Sequence, residues 1–249
     1  MQPFMAAATR CLGALMLAAI VGGCDDSGER PASTAPTSIA QSAPARQASP
    51  RGTVSVPVGT GFDFYVLSLS WSPSYCEAEG EDANGQQCNS GRSYGFVVHG
   101  LWPQFEKGWP ENCDAEPAYV ADEIVRSLRD IMPSGGLIGY QWRKHGGCAG
   151  LSQEDYFSVL RAAREKTIVP KQFRAPEAAV TIDPDAVEAS FIDANPGLPA
   201  RGIAVICEDR YVSEVRLCMT RDLSSFRTCP EVDRRSCAIT NATMPPVGG

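Results

Sequence analysis

The chain has 249 residues, 43% of them hydrophobic and 20% charged, with ten cysteines and only two histidines. That length suits one domain with a sizeable core. The formal net charge of −7 excludes a protein that coats nucleic acid through bulk positive charge, although a single phosphate-directed site remains open.

Met1 to Gly23 carries one positive charge, Arg10, followed by an apolar stretch from Cys11 to Val21. The stretch is too short and too weakly flanked for a permanent membrane span, and it reads as a signal peptide over residues 1–23. It ends in Val21-Gly22-Gly23-Cys24, which resembles a bacterial lipobox. That resemblance implies lipidation of Cys24 and an exported protein anchored on the periplasmic side of the envelope. An ordinary secretory signal with an incidental cysteine is the alternative. Residues 24–52 are Ser, Ala, Pro, Thr and Gln with almost no large apolar side chain. Such a segment cannot bury enough surface to offset its ordering entropy, so a disordered tether is expected before a domain at 53–249.

Phe62 to Trp71 is aromatic, aliphatic and partly alternating, which predicts a strand ending at Pro73. Ser93 to Val98 predicts a second strand that delivers His99 at its C-terminal end. Ala118 to Ile131 places Ile124, Leu128 and Ile131 at helical spacing, with Pro133 as the stop. Tyr140 to Cys148 reads as a helical turn ended by Gly146-Gly147. Ser152-Gln-Glu-Asp resembles a capping box, with Tyr156, Val159, Leu160 and Ala163 as the apolar stripe behind it. Asp183 and Pro184 form an N-cap and first turn, and Pro196-Gly197 closes that helix. Gly202 to Cys207 and Tyr211 to Met219 predict a hairpin through Glu208-Asp209. Strands and helices mixed without regular βαβ alternation predict an α+β fold with a central antiparallel sheet flanked by helices.

Eight cysteines follow the tether: Cys76, Cys88, Cys113, Cys148, Cys207, Cys218, Cys229 and Cys237. An even count behind a signal peptide points to disulfides in an oxidising compartment. No Cys-x-x-Cys pair exists and the histidines lie outside zinc-finger spacing, so neither metal nor cofactor is expected.

Both histidines sit in dense motifs, His99 in FVVHGLWPQ and His145 in YQWRKHGGC. Imidazole is the side chain whose unperturbed pKa lies near neutrality, so a pair of them can supply one acid and one base. On a helical turn Gln141, Lys144 and His145 stand at i, i+3 and i+4 and share a face. An ammonium beside an imidazole suits a substrate that develops negative charge, phosphate above all. Trp102 offers a flat ring that serves either as core or as a stacking surface for a base, and the sequence leaves both open. Lys107, Arg92 and Arg143 read as solvated surface cations, and Glu106 and Glu111 as exposed loop charges.

His99-Gly100-Leu101-Trp102-Pro103 and Trp142-Arg143-Lys144-His145-Gly146-Gly147-Cys148 resemble, in this order, the two active-site segments of the ribonuclease T2 family. The likeness extends from about Phe62 to Cys237. It implies endonucleolytic cleavage of single-stranded RNA without metal: the substrate's own 2′-OH attacks phosphorus and leaves a 2′,3′-cyclic phosphate. DNA, lacking that hydroxyl, would not be cut. The resemblance implies catalytic roles for His99, Lys144 and His145 and substrate contacts from Trp102 and Gln141. His145 is the implied base and His99 the implied acid, although the residues alone allow the two to be exchanged. Eight cysteines allow on the order of 100 pairings; the resemblance implies Cys76–Cys88, Cys113–Cys148, Cys207–Cys237 and Cys218–Cys229. Three positions depart from the family pattern: Gln141 replaces a glutamate, Tyr140 a third histidine, and Gly147 a threonine or serine. Gln141 and Tyr140 motivate an alternative, a catalytically weakened RNA-binding or protein-interaction lipoprotein that keeps the fold.

Overall fold

The computed structural model describes residues 55–248. The expected signal peptide, the Cys24 lipidation site and the tether lie outside the described residues. The first strand, β1 (Phe64–Trp71), is buried almost throughout and runs directly into helix α1 (Ser72–Glu79), whose first turn takes Pro73. A short helix, α2 (Gly85–Cys88), follows under an Asn84 cap, and the Cys76–Cys88 disulfide ties it to α1. Strand β2 (Phe96–Gln104) then pairs antiparallel with β1.

The expected second strand stopped at Val98 with His99 at its end. Instead β2 continues through Pro103, so His99 lies mid-strand. Proline is tolerated because β2 is the edge of the sheet, where an N–H on the open side has no ladder partner to lose. Gly100 pairs with Ser68 and Val98 with Leu69, so His99 is the extra residue of a β-bulge. Bulges re-aim a side chain, and this one re-aims an imidazole.

The helix expected over 118–131 forms only as α3 (Asp122–Leu128). The carbonyls of Pro117 and Tyr119 accept from Gln153 Nε2, and that of Pro117 also accepts from Trp142 Nε1, so the preceding backbone is held as a loop. Helix α4 (Gly135–Lys144) starts earlier than the expected turn at Tyr140, because Ser134 caps it with its Oγ accepting from Leu137 N–H at 3.2 Å. Helix α5 (Gln153–Lys166) has the expected Ser152 cap and buries Tyr156, Val159, Leu160 and Ala163. Asp183 and Pro184 open α6 (Pro184–Ala194).

Strands β4 (Ile203–Glu208) and β5 (Tyr211–Met219) form the expected hairpin, with Asp209 at φ 51° in its turn. Asp tolerates that left-handed conformation better than most residues. β5 is central: it pairs antiparallel with β1 and β4. Two three-residue strands, β3 (Val180–Ile182) and β6 (Ala242–Met244), extend the sheet, β6 meeting β5 by one parallel bridge. A four-residue helix, α7 (Pro230–Asp233), follows β5.

The core lies between the sheet and helices α3 to α6. Trp71, Tyr65, Trp142, Tyr156 and Phe191 are fully buried there. Tyr156 spends its hydroxyl on the Leu101 carbonyl at 2.8 Å, fixing α5 to the His99 strand. The eight cysteines form four disulfides, Cys76–Cys88, Cys113–Cys148, Cys207–Cys237 and Cys218–Cys229. Burial of these five aromatic side chains and crosslinking of the loops around them make an α+β domain that holds its edge strand and α4 in fixed register. Among the described residues no helix is long and apolar enough to cross a membrane.

Candidate active site

Strand β2 and helix α4 bring the two histidines to one cleft. The cleft, about 300 Å3, is lined by His99, Trp102, Tyr140, Gln141, Lys144 and His145. That volume is near the lower end for small-ligand sites, room for about one nucleotide. Trp102 stands between the imidazoles, its ring centroid 5.4 Å from that of His99 and 5.4 Å from that of His145.

His145 ends α4: its N–H donates to the Gln141 carbonyl at 2.9 Å, and its own backbone has left helical geometry. A 3-10 turn, Gly146–Ala149, follows, and Cys148 within it bonds to Cys113. Closing that 35-residue span constrains the unfolded chain by about 4 kcal/mol in the chain-entropy model. The family threonine or serine is absent at Gly147 for a local reason: a Cβ there would lie 2.9 Å from both Ala115 Cβ and the Asp114 carbonyl oxygen. His145 is only 7% exposed, and its Nδ1 is buried without a hydrogen-bond partner. Loss of hydration, with Lys144 and His99 adding like charge, pulls its pKa down to about 4. The ring is therefore neutral at pH 7, and Nε2 is the nitrogen left to meet a ligand.

His99 is surrounded differently. Its Nδ1 meets Glu214 Oε1 in a close ion pair across the sheet. Arg216 donates to the other carboxylate oxygen, Oε2, from Nε at 2.8 Å and from a terminal NH2 at 2.7 Å. Burial would push the Glu214 carboxyl up, but the His99 and Arg216 contacts together prevail and hold it at about 2. Neither Glu214 nor Arg216 lies in the two histidine motifs. The available signal was Glu214-Val-Arg216, two charges at i, i+2 within an otherwise apolar strand, which puts both on one face.

Gln141, for which the resemblance implied a substrate contact, borders the cleft. It is 1% exposed, and its Oε1 accepts from Trp102 Nε1 at 2.8 Å. Gly100 makes this possible, since a Cβ there would collide with both partners of the bond. Trp102 is thereby both half-buried scaffold and cleft wall, and Arg216 lies over its ring at 5.1 Å.

Lys144 Nζ lies 5.6 Å from the Tyr140 ring centroid and 3.7 Å from Glu111 Oε2. A hydrogen bond with Tyr140, with Glu111 assisting, holds the ammonium above its usual pKa, so it is charged at any working pH. Glu111 is exposed as expected, but it borders the cleft rather than standing apart from it. Glu106 pairs with Arg227 at 2.6 Å. Lys107, Arg92 and Arg143 are exposed and do not line the cleft. Trp109, with Arg235 stacked over it at 4.9 Å, forms a further cleft wall that the motifs did not signal. Among the described residues no group of three or more His, Cys, Asp or Glu is placed to hold a metal ion.

The arrangement, one neutral imidazole, one imidazole on a carboxylate and one ammonium at a single cleft, also occurs in a region that comparison with known proteins covers. A ribonuclease of Aeromonas hydrophila is 31% identical over 185 residues, 68% of this chain and 77% of that protein. A probable ribonuclease of Haemophilus influenzae is 34% identical over 122 residues, 44% of this chain and 45% of that one. The crystal structure of RNase NT in complex with 5′-AMP shares the fold, with a TM-score of 0.60 and 22% identity over 75% of this chain and all of that one. The model of the Ribonuclease T2 family matches residues 62–229, from before β1 to the cysteine before α7, and so spans both histidine segments. The chain belongs to the Ribonuclease T2 family.

Proposed function

We propose that the protein is an endoribonuclease that cleaves single-stranded RNA by metal-free transphosphorylation. The observation that carries this is the pair of imidazoles, the only two in the chain, set on either side of one indole in a cleft shared with Lys144. His145, neutral at pH 7, takes the proton from the ribose 2′-OH through Nε2. The 2′-oxygen forms its bond to phosphorus as the bond from phosphorus to the 5′-oxygen breaks. His99, protonated, delivers its Nε2 proton to that leaving oxygen. The products are a 2′,3′-cyclic phosphate and a free 5′-OH. Lys144 stabilises the negative charge that gathers on the phosphoryl oxygens. The assignment follows the surroundings of the rings: burial disfavours charge on His145, which suits the base, while the carboxylate on His99 Nδ1 leaves Nε2 as the nitrogen that can deliver a proton. Trp102 contacts the substrate as a wall of the cleft, and Gln141 acts through Trp102 rather than on phosphate.

Membership of the family, the relatives named as ribonucleases and a fold neighbour holding 5′-AMP support this activity. The weakened RNA-binding alternative drew on Gln141 and Tyr140; Glu214 supplies His99 with a carboxylate from another strand. For the N-terminal region we propose that Cys24 carries the lipid anchor and that the domain works on the periplasmic side, a disulfide-permissive compartment. The test of function is incubation with RNA and with DNA in excess EDTA, followed by identification of the RNA ends. Cyclic phosphate ends and intact DNA are expected. Cleavage abolished by EDTA, or RNA bound without turnover, contradicts the proposal.

A further inference from the structure

Arg216 borders the cleft and Glu214 bonds both it and the His99 ring, and neither residue belongs to the two histidine segments. They reach His99 from two strands away. In the sheet β5 neighbours β1 and β1 neighbours β2, so β2 and β5 are separated by roughly 10 Å. Across that gap Glu214 pairs in register with Ser70, and Arg216 with Ser68. These two serines are the small residues of an otherwise bulky strand, Phe-Tyr-Val-Leu-Ser-Leu-Ser-Trp. Ser68 is fully buried with its hydroxyl unpartnered, and Ser70 lines the same small cavity as His99, Glu214 and Arg216. A leucine in either place would fill the space over which imidazole and carboxylate meet. The bulge in β2 completes the device by taking His99 out of the regular ladder.

We propose that Glu214 is a positioning residue for His99: its carboxylate, clamped by Arg216, fixes the imidazole proton on Nδ1 and leaves Nε2 as the nitrogen that meets the substrate. A carboxylate can only accept, so Nδ1 must carry hydrogen in both charge states of the ring. Arg216 takes Oε2 with two N–H groups and leaves Oε1 for His99. The inference rests on the ribonuclease reading for the substrate, but the contact itself does not.

Other charges also face His99. Lys144 and His145 approach from α4 across the cleft, while Glu79 of α1 and Glu208 of β4 rim the second cavity. Tyr140, Tyr75 and Tyr211 present phenols to the same two spaces. None of these bonds the ring as Glu214 does, so removal of Glu214 has a sign of its own. Glu214→Gln keeps an acceptor but deletes the charge, leaving Arg216 unpaired beside the imidazole. Protonation of His99 becomes harder. Arg216→Gln does the reverse.

With two histidines in the chain, NMR titration of their ring signals reads both groups directly, each assigned by substitution of the other. In Glu214→Gln the His99 midpoint should fall by about one pH unit, with a smaller change at His145. The alkaline limb of kcat/KM should fall with it, and kcat should drop about tenfold while KM stays within about twofold. Arg216→Gln should move the His99 midpoint upward. Thermal melts of both variants, followed by circular dichroism, report the folded fraction. A His99 midpoint unchanged in folded Glu214→Gln overturns the proposal, as does an activity loss that only tracks unfolding. Failure of the wild-type domain to cut RNA would sink the ribonuclease reading instead, and the two opposed titration shifts would still decide the Glu214 contact.

Discussion

The two histidines occupy one cleft in opposite states of support. His99 stands on the bulge of an edge strand, with a carboxylate on one nitrogen. His145 stands at the end of a helix, nearly buried, with one nitrogen unpartnered and a lysine next in sequence. The first setting holds one ring nitrogen on a carboxylate, and the second stabilises the neutral ring. In the proposed mechanism acid and base differ by environment rather than by residue type, which is how one side chain can serve both ends of a proton relay. Trp102, touching both rings and held by Gln141, fixes the spacing.

The bluntest way to break this comparison is to delete either ring. His145→Ala or His99→Ala should each lower kcat/KM for RNA by about 10²–10⁴. The double variant should fall little further, because the pair acts as a unit; additive losses would mean that they do not. Removal of the ammonium, Lys144→Met, should cost about 10²-fold in kcat with a smaller change in KM. Equal loss in both parameters would assign Lys144 to ground-state binding.

Gly100→Ala attacks the spacer. Its new methyl would collide with both Gln141 Oε1 and Trp102 Nε1, and a loss of about 1–3 kcal/mol is expected from denaturant midpoints. A neutral effect would show that the Trp102 to Gln141 bond is not needed.

The difference between the rings also predicts how stability depends on pH. His145 has a folded pKa of about 4, below its unfolded value near 6.5. Its contribution is complete above pH 6.5 and is lost as pH falls toward 4, on the order of 3 kcal/mol. Glu214, depressed to about 2, adds a second loss only below its unfolded value near 4.5. Urea midpoints measured from pH 7 to 4 should therefore decline, and in folded His145→Ala the decline should flatten over that window. The smallest effect is expected from Gln141→Glu, which puts a carboxylate near His145 and should move the acid limb of kcat/KM upward by less than about one unit. A downward shift would contradict the base role of His145.

Much of this site was legible from the chain. His99, Lys144 and His145 stand out because histidine is rare here and both copies fall in glycine- and tryptophan-containing motifs. The long strands β1 and β5, the capped helices α5 and α6 and the β4–β5 hairpin followed from periodicity and turn residues. Less legible was whatever depends on partners distant in sequence. The bulge at His99 is a property of two strands in register, and no local pattern encodes it. Residues 118–121 carry a helical pattern, yet their neighbouring carbonyls are claimed by Trp142 and Gln153. Strands β3 and β6 are three residues each, too short for alternation to register. Glu214 lies 115 residues from His99, and only the stacking of three strands brings them together.

The division of labour between the rings is tested most directly by the pH dependence of kcat/KM on a dinucleotide in EDTA. A bell is expected, with an acid limb near pH 4 set by His145 and an alkaline limb that moves when Glu214 is changed. A rate that rises or falls through a single limb, or an acid limb that survives replacement of His145, would mean that the two imidazoles do not share the work.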